Sequence, residues 1–102
     1  MNSRAHVIIY GDVIGVGFRS WTVQNARELG LNGWVRNVSE KTVYPDSAVG
    51  GRRVEAVFEG PKEKVEEMIK RCNKGPEVAW VEKVDVSWEE NKGEWAGFEV
   101  RY

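Results

Sequence analysis

The chain has 102 residues, and 15 Lys and Arg against 16 Asp and Glu give it a formal net charge of −1. This length predicts one domain over residues 1–102, and the charge excludes the strong basic field that general binding of nucleic acids or anionic membranes requires. Hydrophobic residues make up 41% of the chain and aromatic residues 11%, which is enough apolar matter for a folded core.

The cysteine and histidine content limits the possible metal and redox chemistry. Cys72 is the one cysteine and His6 the one histidine. A single cysteine cannot form an internal disulfide, and one Cys with one His does not supply a zinc site. No apolar run approaches the roughly 20 residues that span a bilayer. We therefore expect a soluble cytoplasmic protein without a metal site.

The first half of the chain predicts a strand, a helix and a second strand. Ala5–Tyr10 is rich in β-branched and aromatic residues and stops at a glycine, so we interpret it as a strand buried on both faces. Arg19–Leu29 carries an apolar face at helical spacing and ends at Gly30. Gly33–Val38 predicts the second strand, and the loop-like segment Ser39–Arg53 follows it.

The middle of the chain predicts a hairpin and a second helix. Val54–Glu59 alternates as a third strand, which Ser39–Arg53 joins to the second. Pro61 stands where the first residue of a helix is expected, and Gly75 follows the last. The apolar stripe of this helix includes Cys72, which we interpret as a small buried hydrophobic residue.

Two further strands complete the pattern. Val78–Trp88 is long, and its alternation slips near Glu82 and Lys83, which indicates a bulge; Phe98–Tyr102 is a short last strand. The order βαββαβ plus a short C-terminal strand predicts an α+β fold, the ferredoxin-like split-βαβ sandwich. It has an antiparallel sheet with both helices on one face.

The residues that could bind a ligand or take part in a reaction lie at one edge of this sheet. In the split-βαβ topology the first and second strands are parallel, so the glycine-rich turn after the first and Asn37 at the end of the second lie together. Glycines in Gly11–Arg19 allow successive N–H groups to converge on an anion, and Arg19 offers a planar donor fork for phosphate. Alternatively, the glycines permit close packing, Arg19 is an exposed helix-start residue, and Asn37 is a strand-end turn residue.

Five segments of the chain form a recognisable pattern: Val13–Arg19 (VIGVGFR), Ala26–Asn37 (ARELGLNGWVRN), Val54–Gly60 (VEAVFEG), Gly75-Pro76 and Phe98–Tyr102 (FEVRY). Together they resemble the acylphosphatase family. The similarity covers nearly the whole chain. It is specific because two separated motifs, GVGFR and GWVRN, must both match with the right helix between them.

The resemblance implies an enzyme that hydrolyses acyl phosphates, such as acetyl phosphate or 1,3-bisphosphoglycerate, to carboxylate and inorganic phosphate. It implies no metal, no cofactor and no covalent intermediate. On this chain Arg19 and nearby backbone amides would hold the phosphoryl group, and Asn37 would orient the attacking water. The amides are those of Gly15, Val16, Gly17, Phe18 and Arg19. We expect a monomer whose partners are the acyl phosphate and inorganic phosphate, its product and inhibitor.

Two departures from the family pattern affect the predicted site. Ile14 stands where the family usually has Gln, so a side-chain amide is missing beside the cradle. Thr42–Arg53 is longer than the tight turn common in the family, and it either covers the pocket or is an exposed insertion without a role. Arg36 is left outside the site, since strand alternation places it on the face opposite Asn37.

Two other functions are considered. RNA-recognition domains share the βαββαβ order, but their glycine-aromatic signature lies on the third strand, whereas here that strand carries the two carboxylates of VEAVFE. The other alternative is a domain that binds phosphate or carbamoyl phosphate, or regulates, with little turnover. His6, on the first strand, is interpreted as a structural or exposed sheet residue.

Overall fold

The computed structural model describes residues 2–39, 52–93 and 95–101. Within these residues, five strands and two helices occur in the order that the sequence predicts. The elements are β1 (Asn2–Asp12), α1 (Phe18–Glu28), β2 (Asn32–Ser39), β3 (Arg52–Pro61), α2 (Lys62–Lys74), β4 (Trp80–Glu89) and β5 (Phe98–Val100).

The strands form one sheet in the order β4-β1-β3-β2-β5. β1 pairs antiparallel with β3 and β4, and β2 pairs antiparallel with β3, so β1 and β2 are parallel and end at the same edge. The α+β ferredoxin-like prediction is confirmed. The predicted antiparallel sheet has one exception: β5 pairs parallel with β2, with Gly33 opposite Phe98 and Val35 opposite Val100.

The helices and one face of the sheet enclose a single core. Ala5, Val7 and Ile9 of β1 are fully buried, and the same cluster contains buried residues of α1 and of α2. Those residues are Phe18 and Ala26 of α1 and Val65, Met68 and Cys72 of α2. The prediction that β1 is buried on both faces is wrong: its alternate residues are only half-buried, because both helices lie on the other face.

The start of α2 differs by one residue from the prediction. Pro61 has an extended ψ of 135° and pairs with Asn2 in the β1–β3 ladder, so it ends β3 and precedes the helix instead of beginning it. The buried position of Cys72 is confirmed, and burial raises the pKa of its thiol to about 12. The thiol is therefore uncharged near neutral pH, as expected for a core residue.

The predicted bulge in the fourth strand is present. Tyr10 pairs with Lys83 and Gly11 with Val81, which leaves Glu82 without a partner in β1. A Cβ atom at Gly11 would lie 2.1 Å from the carbonyl oxygen of Trp80, so only glycine fits where the bulge brings the two backbones together.

β2 and β3 pair up to Ser39 and Arg52, as a hairpin requires. Residues 40–51, which include most of the long loop predicted over Thr42–Arg53, lie outside the described residues. No helix in the described part of the chain is long and apolar enough to cross a membrane.

Candidate functional site

The turn from β1 into α1 is shaped by glycines in the left-handed backbone region. Gly15 has φ 81° and Gly17 has φ 76°. Gly17 is the N-cap of α1, with ψ 19°. A Cβ atom would meet nothing within 4 Å at either position, so glycine is required here by backbone conformation and not by lack of space. Alternation of left-handed and ordinary residues turns successive N–H groups toward one point, which is how backbone nests bind anions.

The helix that follows presents further N–H donors. The amide of Trp21 donates to the carbonyl of Gly17 at 3.0 Å, which leaves the amides of Phe18, Arg19 and Ser20 outside the hydrogen-bond ladder of the helix. No side chain caps this end, and its first turn contains no acidic residue. The positive end of the helix dipole therefore faces the turn without a carboxylate of the first turn to neutralise it.

Asn37 comes to the same place from β2. Its neighbour on that face, Val35, is fully buried, and Asn37 itself is half-buried near the end of the strand. Its Oδ1 atom is buried and has no hydrogen-bond partner among the described residues. An unpaired buried polar atom costs about 1 to 3 kcal/mol, so this oxygen is available to accept a hydrogen bond from a water or a ligand in the cavity.

These elements enclose a cavity of about 130 Å³. Its lining residues are Val13, Gly15, Gly17, Phe18, Arg19, Ser20, Asn37 and Val100. Arg19 is the one ionisable residue in that set, and no carboxylate lines the cavity among the described residues. The arrangement can attract an anion through Arg19 and the N-terminal amides of the helix, and it can hold a water beside the Asn37 amide.

The cavity brings together most of the residues that the sequence predicts for the site. Val16 is not among the lining residues; its side chain packs partly against the core. Ile14 does the same, so the position where the family usually has Gln contributes no polar group to the wall. Val13, Ser20 and Val100 line the cavity without having been predicted.

Different signals were available for the three missed residues. Val13 lies within the glycine-rich segment Gly11–Arg19 and Ser20 directly follows it, so the sequence places both near the site but does not show which way their side chains point. Val100 reaches the cavity only because β5 pairs parallel with β2, and no pattern in a three-residue strand specifies that partner.

His6 and Arg36 lie away from the cavity, as predicted, and share a carboxylate on the open face of the sheet. Glu55 accepts from His6 Nε2 at 2.5 Å and from Arg36 Nε at 2.6 Å. Burial alone would raise the pKa of the Glu55 carboxyl, but the hydrogen bonds from His6 and Arg36 outweigh it and hold that pKa below 4.5. Arg36 is therefore paired on the open face and is not a second ligand of the cavity.

The chain is similar in sequence to acylphosphatases. The acylphosphatase family model matches residues 5–100. An acylphosphatase from Trichormus variabilis is 50% identical over 98 residues, covering 96% of this chain and 85% of that protein.

Two solved structures agree with the sequence comparison. An acylphosphatase from Coxiella burnetii superimposes with a TM-score of 0.83 at 29% identity, covering 98% of this chain and 93% of that one. An acylphosphatase from Bacillus subtilis superimposes with a TM-score of 0.80 at 26% identity over the full length of both chains.

Proposed function

The chain belongs to the acylphosphatase family and is an enzyme that hydrolyses acyl phosphates, and we propose that the glycine-rich turn, Arg19 and Asn37 carry out this reaction. The single observation that carries the proposal is the buried, unpaired Oδ1 of Asn37 in the wall of the cavity that Arg19 and the turn also line. That oxygen needs a hydrogen-bond donor, and a water molecule is the donor that hydrolysis requires.

The phosphoryl group of the substrate binds in the cradle between β1 and α1. Backbone amides from Gly15 to Arg19 donate to its oxygens, and the Arg19 guanidinium adds two parallel donors. Charge on these oxygens changes as the bond to the leaving group breaks. Donors fixed by the backbone need no reorganisation to follow that change, so the cradle lowers the barrier as well as binding the ground state.

The attacking water lies between Asn37 and phosphorus. Asn37 Oδ1 accepts one O–H of this water, which directs a lone pair of the water oxygen toward phosphorus. Among the residues that the structure describes, the cavity wall includes no side chain able to act as a base at neutral pH, so the water passes its proton to a phosphoryl oxygen of the substrate. An acyl phosphate dianion and water then give a carboxylate and dihydrogen phosphate, with no covalent enzyme intermediate.

The same donor set supports a reaction without a metal. Mg²⁺ is bound mainly by carboxylates and substrate phosphates, and the described part of the cavity wall offers amides, a hydroxyl and a guanidinium but no carboxylate. The positive charge that a metal would supply comes here from Arg19 and the helix terminus.

We also propose that residues 1–102 work as one domain, as a monomer, in the cytoplasm. The family match extends over residues 5–100, which supports a single domain across that range. The Cys72 thiol is buried and uncharged, so it is not available to join two chains, and an unpaired cysteine fits a reducing compartment. Sedimentation equilibrium at micromolar concentration tests the proposed monomeric state. A measured mass equal to that of a dimer would contradict it.

The central experiment compares Asn37→Ala with the wild type on acetyl phosphate, following phosphate release. We expect kcat to fall by about 100-fold or more, because one well-placed group in the transition state is worth that much. The inhibition constant of inorganic phosphate should change by less than about threefold, since Asn37 contacts the water and not the phosphoryl group.

Asn73→Ala is the matched control. Asn73 is exposed on α2 and donates to the carbonyl of Ile69, away from the cavity, so its loss should leave both constants unchanged. If Asn37→Ala keeps its kcat, or loses phosphate affinity in step with kcat, the water-orienting role is wrong. A wild type that binds phosphate but does not release it from acetyl phosphate would instead indicate a binding domain.

A further inference from the structure

Ser20 lines the active-site cavity next to Arg19 and has no role in the mechanism described above. It is the third residue of α1, exposed to solvent, and so stands where the cavity meets the surrounding water. The deeper lining residues Val13 and Phe18 are almost completely buried. Ser20 therefore belongs to the mouth of the cavity.

The Ser20 hydroxyl is available for a ligand. Hydroxyls and amides on helices commonly bond to the carbonyl four residues earlier: Thr22 does so with Phe18 at 2.7 Å and Asn25 with Trp21 at 2.8 Å. For Ser20 that acceptor would belong to Val16, which precedes the helix. The Ser20 hydroxyl has no hydrogen-bond partner among the residues that the structure describes.

The direction from which the water attacks phosphorus determines which substrate atom lies near the Ser20 hydroxyl. The inference rests on the proposed function, in which Asn37 holds the water on the β2 side of the cavity. In an in-line displacement the leaving oxygen departs opposite the entering one. The acyl group therefore lies away from Asn37, and we place it toward the mouth of the cavity, where the exposed Ser20 stands.

We propose that Ser20 donates a hydrogen bond to the acyl oxygen that leaves phosphorus. As the water oxygen bonds to phosphorus, the bond from phosphorus to the acyl oxygen breaks and its electron pair stays on that oxygen, forming the carboxylate. The Ser20 proton is not transferred; it stabilises the developing negative charge. The proton of the water still goes to a phosphoryl oxygen, so Ser20 acts on the leaving group alone.

The test uses Ser20→Ala, Ser20→Thr and the wild type on a series of acyl phosphates with leaving carboxylates of different basicity, from acetyl phosphate to nitrobenzoyl phosphate. We expect Ser20→Ala to lower kcat/KM for acetyl phosphate by about three- to tenfold, the usual effect of one neutral hydrogen bond. The loss should shrink for nitrobenzoyl phosphate, whose leaving group carries its charge more easily. Ser20→Thr should recover most of the activity.

Two further measurements separate this role from others. The inhibition constant of inorganic phosphate should be unchanged in Ser20→Ala, because free phosphate has no acyl oxygen. Ser87→Ala, an exposed serine on β4, should match the wild type on every substrate.

The outcomes distinguish the inference from the proposed function. An equal loss on all substrates, no loss on any, or weakened phosphate inhibition in Ser20→Ala would overturn the role of Ser20 while leaving that of Asn37 intact. A kcat in Asn37→Ala that equals the wild type would instead overturn the mechanism on which the role of Ser20 rests.

Discussion

Arg19 supplies the formal charge of the candidate site, and the geometry of that charge matters as much as its sign. A guanidinium offers two parallel donors to a phosphate, whereas an ammonium offers a point charge on a flexible stem. We expect Arg19→Lys to weaken inhibition by inorganic phosphate about tenfold or more, the size of one charge-assisted hydrogen bond. Activity on acetyl phosphate should fall at least as far, and steady-state kinetics with phosphate as inhibitor measure both.

Arg36→Lys serves as the control for Arg19. Arg36 lies on the open face, paired with Glu55, so the same chemical change there leaves the cavity untouched. Unchanged phosphate affinity in Arg19→Lys, or an equal loss in both variants, would remove Arg19 from the binding role.

Because of Glu55, the free energy of unfolding should fall as the pH is lowered. Its folded-state pKa lies below the ordinary value of 4.5, so its stabilising contribution is present above that value and is lost as pH falls through the folded pKa. Urea unfolding from pH 6 to pH 3 should show a smaller loss of unfolding free energy in Glu55→Gln than in the wild type. Glu66→Gln, at an exposed site on α2, should follow the wild-type slope; parallel slopes in all three proteins would contradict the role of Glu55.

At the scale of elements, the turn before α1 and the turn after it provide a matched pair of glycines. Gly17 and Gly30 have φ 76° and 71°, and neither has an atom within 4 Å of an added Cβ. Replacement by alanine should therefore destabilise the fold similarly at both, by about 1 kcal/mol of left-handed strain. Only Gly17→Ala should also weaken phosphate inhibition, by about tenfold, because relaxation at Gly17 turns amides of the cradle away.

Thermal unfolding and phosphate inhibition measured on both variants test this pair. Equal phosphate affinity in Gly17→Ala and Gly30→Ala would mean that the cradle tolerates the change. The glycine-rich turn would then be a packing device, the alternative that the sequence leaves open.

Features that follow from a local residue pattern could be predicted from the sequence. Features that depend on which distant elements pack or pair together could not. The apolar stripe through Cys72 and the slip near Glu82 are local signals, and both features are present. The half-buried open face of β1 depends on where both helices pack, and the parallel pairing of β5 depends on a partner far away in the chain. Pro61 was misplaced by one residue because β3 extends to the helix without a loop.

For the site, the resemblance to acylphosphatases identified the residues, and the structure showed how they are arranged around the cavity. Arg19 and Asn37 could be named from two motifs, but the unpaired state of Asn37 Oδ1 is a property of packing that no spacing reveals. Ser20 lacks any motif, and only its position in the cavity wall draws attention to it.

At the scale of the whole molecule, occupation of the cradle should stabilise the fold. A ligand that binds only the folded state at 100 times its dissociation constant adds about 2.7 kcal/mol to the unfolding free energy. Inorganic phosphate at that concentration should raise the melting temperature by about 10 to 20 °C, given the small size of the domain. Differential scanning fluorimetry measures this, with potassium chloride of equal ionic strength as the control.

Arg19→Lys should show a smaller rise in melting temperature at the same phosphate concentration. An equal rise in this variant would mean that phosphate acts elsewhere on the protein or through general salt effects.

The cavity is built almost entirely from one continuous stretch of chain. Among the described residues, seven of the eight that line it belong to the stretch from Val13 to Asn37, and Val100 is the exception. α2 and β4 contribute core and sheet but no wall of the cavity. Substitutions in those elements should therefore change how much folded protein accumulates while leaving the turnover of each folded molecule almost constant. Substitutions between Val13 and Asn37 should thus mainly affect activity, and substitutions in α2 and β4 should mainly affect the stability of the fold.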